Sequence, residues 1–173
     1  MINPFPAVAL RILFLALPAT AALTMTACKK DTTTATGFQD YAAIDEDIIK
    51  KYIADNKITN AQRQASGLYF VPLTTEPNAV AAVKGKTVSV IYTGQFMNGT
   101  VFDASSKNGN TPFSFLLGNG DVIKGWDEGI ALMHKGEKAL LLIPSALAYG
   151  PTGRGPIPAN SVLRFQVELV DVK

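Results

Sequence analysis

Between residues 87 and 97 the side chains alternate in character: Val88, Val90, Tyr92 and Phe96 are interleaved with Thr87, Ser89, Ile91, Thr93 and Gln95. A period of two places neighbours on opposite faces of a strand, and β-branched and aromatic residues suit that pleat. Asn98-Gly99 follows as a two-residue hairpin signal that expects positive φ at both central positions, and residues 100–103 return as the partner strand. Residues 162–172 repeat the alternation, with Leu163, Phe165, Val167 and Leu169 on one face. Shorter apolar runs at 67–71, 113–117 and 137–144 predict three more strands. Between them, Val122, Ile123, Trp126 and Ile130 recur at helical spacing, which predicts a short helix over 122–133. Its Gly125 and Gly129 each cost roughly 1 kcal/mol of helix propensity against alanine. Packing must hold such a helix, and close approach to a sheet accounts for the missing side chains.

The period changes over residues 38–56, where Phe38, Tyr41, Ile44, Ile48 and Tyr52 recur every three or four positions. Asp45, Glu46 and Asp47 come early and Lys50 and Lys51 later, the order a helix macrodipole favours. This is an amphipathic accessory helix, whose stripe must dock on the domain or on a partner subunit. The pattern as a whole predicts an α+β fold: an antiparallel β-sheet curled around one short α-helix to bury Trp126 and the phenylalanines.

Ahead of the helix, residues 12–27 form a 16-residue run without charge, preceded by Arg11. That is short for a membrane span and suited to an export signal. It ends as Met25-Thr26-Ala27-Cys28 and turns abruptly polar at Lys29-Lys30-Asp31. The ending resembles the lipobox of bacterial lipoproteins, with methionine where leucine is usual. The resemblance implies that Cys28 carries the lipid (a diacylglycerol, with palmitate-type acyl chains) as the first mature residue. A plain secretory signal ending at Ala27, with Cys28 unmodified, is the alternative. The polar, small residues 28–37 read as a flexible tether. The expected division is therefore 1–27 signal peptide, 28–37 tether, 38–65 accessory helical extension and 66–173 main domain. The domain would sit in the cell envelope, anchored to a bacterial membrane and facing the periplasm or cell surface.

Charge adds mainly exclusions. The 16 basic and 14 acidic residues give a net charge of +2, with no basic run beyond lysine pairs, which speaks against nucleic acid as a partner. One histidine, His134, and one cysteine supply neither a zinc ligand set nor an intrachain disulfide. There is no G-x-S-x-G elbow, and Gly94, Gly99, Gly118 and Gly120 stand in hairpins and turns rather than in a phosphate-binding loop. Nucleophilic, metal and cofactor chemistry are all poorly supported, and no cofactor is expected. What remains is a concentration of large aromatics beside turns: Tyr92, Phe102, Phe113, Phe115, Trp126, Tyr149 and Phe165. Some must be core. With one short helix to surround, the set also suits a concave pocket for an apolar ring beside an amide, with two phenols and Asp103 as polar handles.

Nine stretches fall in order along 87–170. They are Val88 to Gly94, Asn98-Gly99-Thr100-Val101-Phe102-Asp103, Pro112 to Phe115, Gly120 to Gly129, Gly136-Glu137-Lys138, Ile143-Pro144, Ala148-Tyr149-Gly150, Ile157 to Asn160 and Leu163-Arg164-Phe165. Together they closely resemble an FKBP-type peptidyl-prolyl cis-trans isomerase. The resemblance implies a Trp126 floor, with Tyr92, Phe102, Phe115, Val122, Ile123, Ile157 and Phe165 forming or supporting the walls. It also implies a Tyr149 hydroxyl and an Ile123 N–H for substrate carbonyls, and Asp103 at the rim. The loop 104–111 lacks the arginine that often pairs with the aspartate and has Lys107 as its only charge; Arg154 stands where small eukaryotic members often have histidine.

The implied partners are proline-containing polypeptide clients and macrolide inhibitors, with the chain a monomer or a homodimer through residues 38–56. Isomerisation fits the missing chemistry, because rotating a peptide bond makes and breaks no covalent bond. The rival readings are a proline-peptide binding or chaperone module with little turnover, and a lipoprotein in which the fold is only a scaffold.

Overall fold

The computed structural model describes residues 39–173. The expected signal peptide, Cys28, the tether and Phe38 lie outside the described residues. The chain opens with α1 (Tyr41–Asp55), whose N-cap Asp40 accepts from the N–H groups of Ala42 and Ala43. Then come β1 (Gln62–Arg63), β2 (Tyr69–Pro72), β3 (Thr87–Phe96), β4 (Val101–Ala104) and β5 (Phe113–Leu116). The helix α2 (Lys124–Ile130) precedes β6 (Lys138–Ile143) and β7 (Leu163–Val172). Among the described residues no helix is long and apolar enough to cross a membrane.

All strand pairs are antiparallel, and the sheet runs β1-β2-β6-β7-β3-β4, with β5 also on β3. This corrects the expected architecture. The sheet is not closed or strongly curled, and it does not wrap a helix: its hydrogen-bonded path ends at β1 and β4, which do not meet. Instead α2 lies on one face, against β6. A Cβ at Gly125 would stand 2.5 Å from Ile143 Cγ2, and one at Gly129 would stand 2.8 Å from Leu141 Cδ2. The two glycines let a seven-residue helix lie directly on the strand. Trp126, Phe115 and Phe165 are buried instead in a mainly aliphatic core that includes Ile130, Leu141 and Ile143.

Successive residues of β6 serve opposite faces. Leu141 belongs to the main core with Trp126, Phe165, Val88 and Val90, whereas Leu142 joins Ile49, Tyr69 and Val162 in a second cluster. The second cluster explains α1. Its buried residues are Asp45 and Ile49, while Tyr41, Ile44 and Ile48 remain more than a third exposed. The apolar stripe read from the sequence is thus largely the outer face of the helix. Docking relies on Ile49, with Tyr52 and Ile53 partly buried, and on polar contacts. Glu46 accepts from Arg63 Nε at 3.0 Å and from the Tyr69 hydroxyl at 2.7 Å, and Tyr52 accepts from Arg164.

Three local details also differ. The helix α2 is shorter than 122–133, because Ile123 is already extended (ψ 147°) and forms its N-cap. The turn after β3 holds three residues: Phe96 N–H donates to Thr100 O and Gly99 N–H to Phe96 O, and only Gly99 has positive φ (93°). That is a type I turn closed by a glycine bulge, not the two-residue form. The two-residue β1 is too short to show any period.

Candidate active site

β3 changes partners partway along one edge. Its residues 87–90 pair with β5 and 93–95 with β4. Tyr92 sits at the gap, and its N–H donates to Ser105 Oγ at 3.1 Å in place of a ladder bond. Its ring stands edge-on to Trp126, with centroids 4.9 Å apart. Its hydroxyl donates to Asp103 Oδ2 at 2.7 Å, while Asp103 Oδ1 accepts from Ala104 N–H at 2.9 Å. Burial, and then the bond to Asp103, push the Tyr92 phenol well above its ordinary value of 10.0. It therefore stays a donor throughout the neutral range.

Gly94, two residues on, has a steric role. A Cβ there would lie 2.6 Å from the Phe165 ring and 2.7 Å from the Phe102 ring. Its absence lets those rings meet edge to face at 5.5 Å. Phe165 also stands edge-on to Trp126 at 5.2 Å. Trp126 is 5% exposed, with aromatic rings on several sides and its Nε1 without a partner among the described residues. Asp127 beside it accepts from Gly118 N–H (2.8 Å) and Gly120 N–H (3.1 Å), tying the loop before α2 to the helix.

These residues border a cavity of about 860 Å³. Of the residues expected at the site, Tyr92, Phe102, Asp103, Val122, Ile123, Trp126, Tyr149 and Phe165 line it, as does Phe113. Phe115 and Ile157 are not among its lining residues. Phe115 is buried, stacked on Phe113 at 5.8 Å and 6.0 Å from Trp126. Ile157 is buried in the main core and exchanges backbone hydrogen bonds with Arg154 (2.8 and 2.9 Å). The N–H of Ile123, as an N-cap, has no intrahelical acceptor.

The cavity also includes Asp121, Lys124, Asp127, Ala146 and Ala148, given no role from the sequence, and Arg154, noted there as a departure from the usual histidine that bears on selectivity. Arg154 places its guanidinium 5.7 Å from the Tyr149 ring centroid, a cation–π contact that draws the last loop against the wall. The only sequence signals were the acid in the first turn of α2 and the arginine at an unusual place. Lys107 donates to Phe102 O at 2.6 Å, so the one cation of its loop braces the backbone, and Asp103 takes Tyr92 as partner.

His134 lies away from the cavity, with Nδ1 3.4 Å from Glu137. Among the described residues no three His, Cys, Asp or Glu side chains gather as a metal site. The arrangement offers apolar ring faces, a phenol–carboxylate pair at the rim and a few donors. That suits the holding and twisting of an amide flanked by an apolar ring.

Comparison with known proteins points the same way. Residues 78–170 match the family model for FKBP-type peptidyl-prolyl cis-trans isomerase. The FK506-binding protein 2 of Debaryomyces hansenii is 50% identical over 111 residues, which cover 62% of this chain and 82% of that protein. The peptidyl-prolyl cis-trans isomerase Fkbp12 of Drosophila melanogaster is 44% identical over 108 residues, covering 62% and 99%. Among solved structures, FkpA from Escherichia coli shares 38% identity with a TM-score of 0.66, over 76% of this chain and 61% of that one.

Proposed function

The chain belongs to the FKBP-type peptidyl-prolyl cis-trans isomerases, and from that premise we propose how its cavity performs the reaction. The enzyme isomerises Xaa-Pro bonds in polypeptide clients through an aromatic pocket. The barrier is the loss of amide resonance, about 20 kcal/mol. The planar amide carries more charge on its oxygen than the twisted one. An apolar cavity therefore penalises the planar ground state more, and the differential binding lowers the barrier.

In this reading the proline ring rests on Trp126, between Tyr92, Phe102, Val122, Ile123 and Phe165, with Phe115 and Ile157 supporting the walls from behind. The Tyr149 hydroxyl and the Ile123 N–H donate to substrate carbonyls. Asp103, oriented by Tyr92 and the Ala104 N–H, acts electrostatically at the rim and transfers no proton. The observation that carries the reading is Trp126 with Tyr92 and Phe165 edge-on to it at 4.9 and 5.2 Å, facing an open cavity. A protease-free isomerisation assay on Xaa-Pro peptides tests it. Phe102→Ala and Trp126→Ala are each expected to lower kcat/KM by at least about tenfold, the rate equivalent of ~1.4 kcal/mol. Full activity in both variants refutes the pocket assignment.

The finer features belong to the same proposal. Residues 1–27 act as a lipoprotein signal peptide, Cys28 takes the lipid, 28–37 form the tether, 38–65 the helical extension and 66–173 the isomerase domain. The uncharged run ending at the chain's one cysteine supports this. The clients are then exported proteins met in the cell envelope, at the surface of a bacterial membrane. The cavity's aromatic lining and the relative named for FK506 binding support macrolide binding at the same site. A homodimer would use residues 38–56, whose Tyr41, Ile44 and Ile48 are exposed. Ile48 borders a second groove of about 480 Å³ with Phe96, Met97, Pro156 and Val162.

A further inference from the structure

The helix α1 reaches the active-site wall through one buried carboxylate. Asp45 is 1% exposed, and its Oδ2 accepts from the Ser145 N–H at 2.8 Å and the Ser145 hydroxyl at 2.6 Å. Its Oδ1 has no partner among the described residues. Ser145, itself 2% exposed, opens a 3-10 turn (Ser145–Leu147) directly after β6 and Pro144. That turn leads into the cavity wall, where Ala146, Ala148 and Tyr149 are lining residues. Ser145 N–H is one of the donors that the start of a helical turn leaves without an internal acceptor. The turn has no side-chain cap of its own, so the cap comes from a residue 100 positions earlier in the chain.

We propose that Asp45 is a positioning residue for the isomerase reaction: from α1 it caps the turn that carries Ala146, Ala148 and Tyr149 into the cavity. The accessory helix is thereby part of the support of the site. Burying a carboxylate is costly, and this one keeps an oxygen unpartnered, so the contact is a poor device for stability alone. Its placement one residue from the wall fits a role in setting that wall. The other polar contacts of α1 with the domain, Glu46 to Arg63 and Tyr69 and Tyr52 to Arg164, hold the helix without touching the turn. The two functions of the helix, being docked and holding Ser145, are therefore separable by mutation. The inference rests on the cavity reading above.

The test compares four variants of the full chain in the isomerisation assay, below the melting point of each. Asp45→Ala is expected to lower kcat/KM about tenfold, the scale of losing hydrogen bonds to a charged group. Asp45→Asn is expected to restore most of it. The amide oxygen serves Ser145 as before, and the amide nitrogen takes the place of the oxygen that already lacks a partner. Ser145→Ala, which removes only the hydroxyl bond, is expected to lose about threefold, a fraction of one hydrogen bond; it carries the test if Asp45→Ala does not fold. Glu46→Gln is expected to lower the melting temperature and leave kcat/KM unchanged, which separates positioning from docking.

Wild-type kcat/KM in folded Asp45→Ala, or in Ser145→Ala, overturns the inference. So does a loss in Glu46→Gln as large as in Asp45→Ala, or an Asp45→Asn no better than Asp45→Ala. An intact chain without isomerase activity would overturn the cavity reading and this inference with it. An active chain indifferent to Asp45 overturns this inference alone.

Discussion

Gly94 shows how much of the site depends on one absent methyl group. Its φ lies outside the left-handed range, so backbone conformation does not call for glycine there. The requirement is the space that the Phe102 and Phe165 rings fill, at 2.7 and 2.6 Å from where a Cβ would stand. Both rings are wedged against further aromatics, Phe96 at 5.1 Å and Trp126 at 5.2 Å, and cannot swing aside cheaply. Gly94→Ala is therefore expected to destabilise the fold by about 1–3 kcal/mol, the usual cost of overpacking, and to lower kcat/KM by displacing two walls together. Urea unfolding beside the isomerisation assay reads both, and wild-type values in each would contradict the packing argument. Tyr92 illustrates electrostatics at the same scale. Burial raises its phenol above 10.0, so its contribution to stability is complete below that pH and lost as pH rises beyond it. The Tyr92 hydroxyl accordingly keeps the proton it donates to Asp103 throughout the neutral range.

At the scale of elements, two helices are held by different means. α2 depends on contact so close that alanine has no room, although replacing Gly125 would gain about 1 kcal/mol of helix propensity. The 2.5 Å approach to Ile143 outweighs that gain. α1 depends more on charge. The Arg63 guanidinium, then the Tyr69 hydroxyl, hold the Glu46 carboxyl down at about 2, against an ordinary 4.5. A depressed carboxylate contributes its stability fully above its unfolded value and loses it as pH falls toward the folded one. Between about pH 5 and pH 2 the wild type is therefore expected to lose more stability than Glu46→Gln, which has no carboxylate to protonate at that position. Urea midpoints of both proteins across that range measure the difference, and parallel curves would count against the ion pair. Glu137 works in a similar sense under the loop before β3. Burial would raise its carboxyl, but the N–H groups of Glu76 and His134 outweigh it and the net shift is downward.

At the scale of the molecule, the isomerase cavity lies on the face of an open sheet that carries α2. The helix α1 docks through Leu142 and Tyr69 and reaches the cavity wall through Ser145. The proposed anchor belongs to this scale as well, since a lipid at Cys28 would hold the catalytic domain at a membrane surface. Mass analysis of the N-terminus after expression in a bacterial host is expected to give a diacylated or triacylated Cys28 as the first residue; an unmodified cysteine refutes the anchor.

The long strands, the short helix against a sheet and most of the cavity lining were legible in the sequence. Alternation, turn glycines and in-order aromatic stretches are local signals, and chain order preserves them. The openness of the sheet was not legible, because which edges meet is decided by pairing between distant strands. Nor was the docking face of α1: Tyr41, Ile44 and Ile48 make the more obvious apolar stripe, yet the helix packs through Ile49 beside the charged Asp45. Periodicity cannot anticipate that a carboxylate will find two donors 100 residues away. Chain order alone was enough for the family, the reaction and the aromatics Tyr92, Phe102, Phe113, Trp126, Tyr149 and Phe165 that line the cavity. It took tertiary contacts to put helices on both faces of β6, to bury Phe115 and Ile157 in the core away from the cavity lining, and to bring Arg154 and Asp127 to that lining. Those outcomes depend on contacts between segments far apart in the chain, where geometry rather than residue type sets the partner.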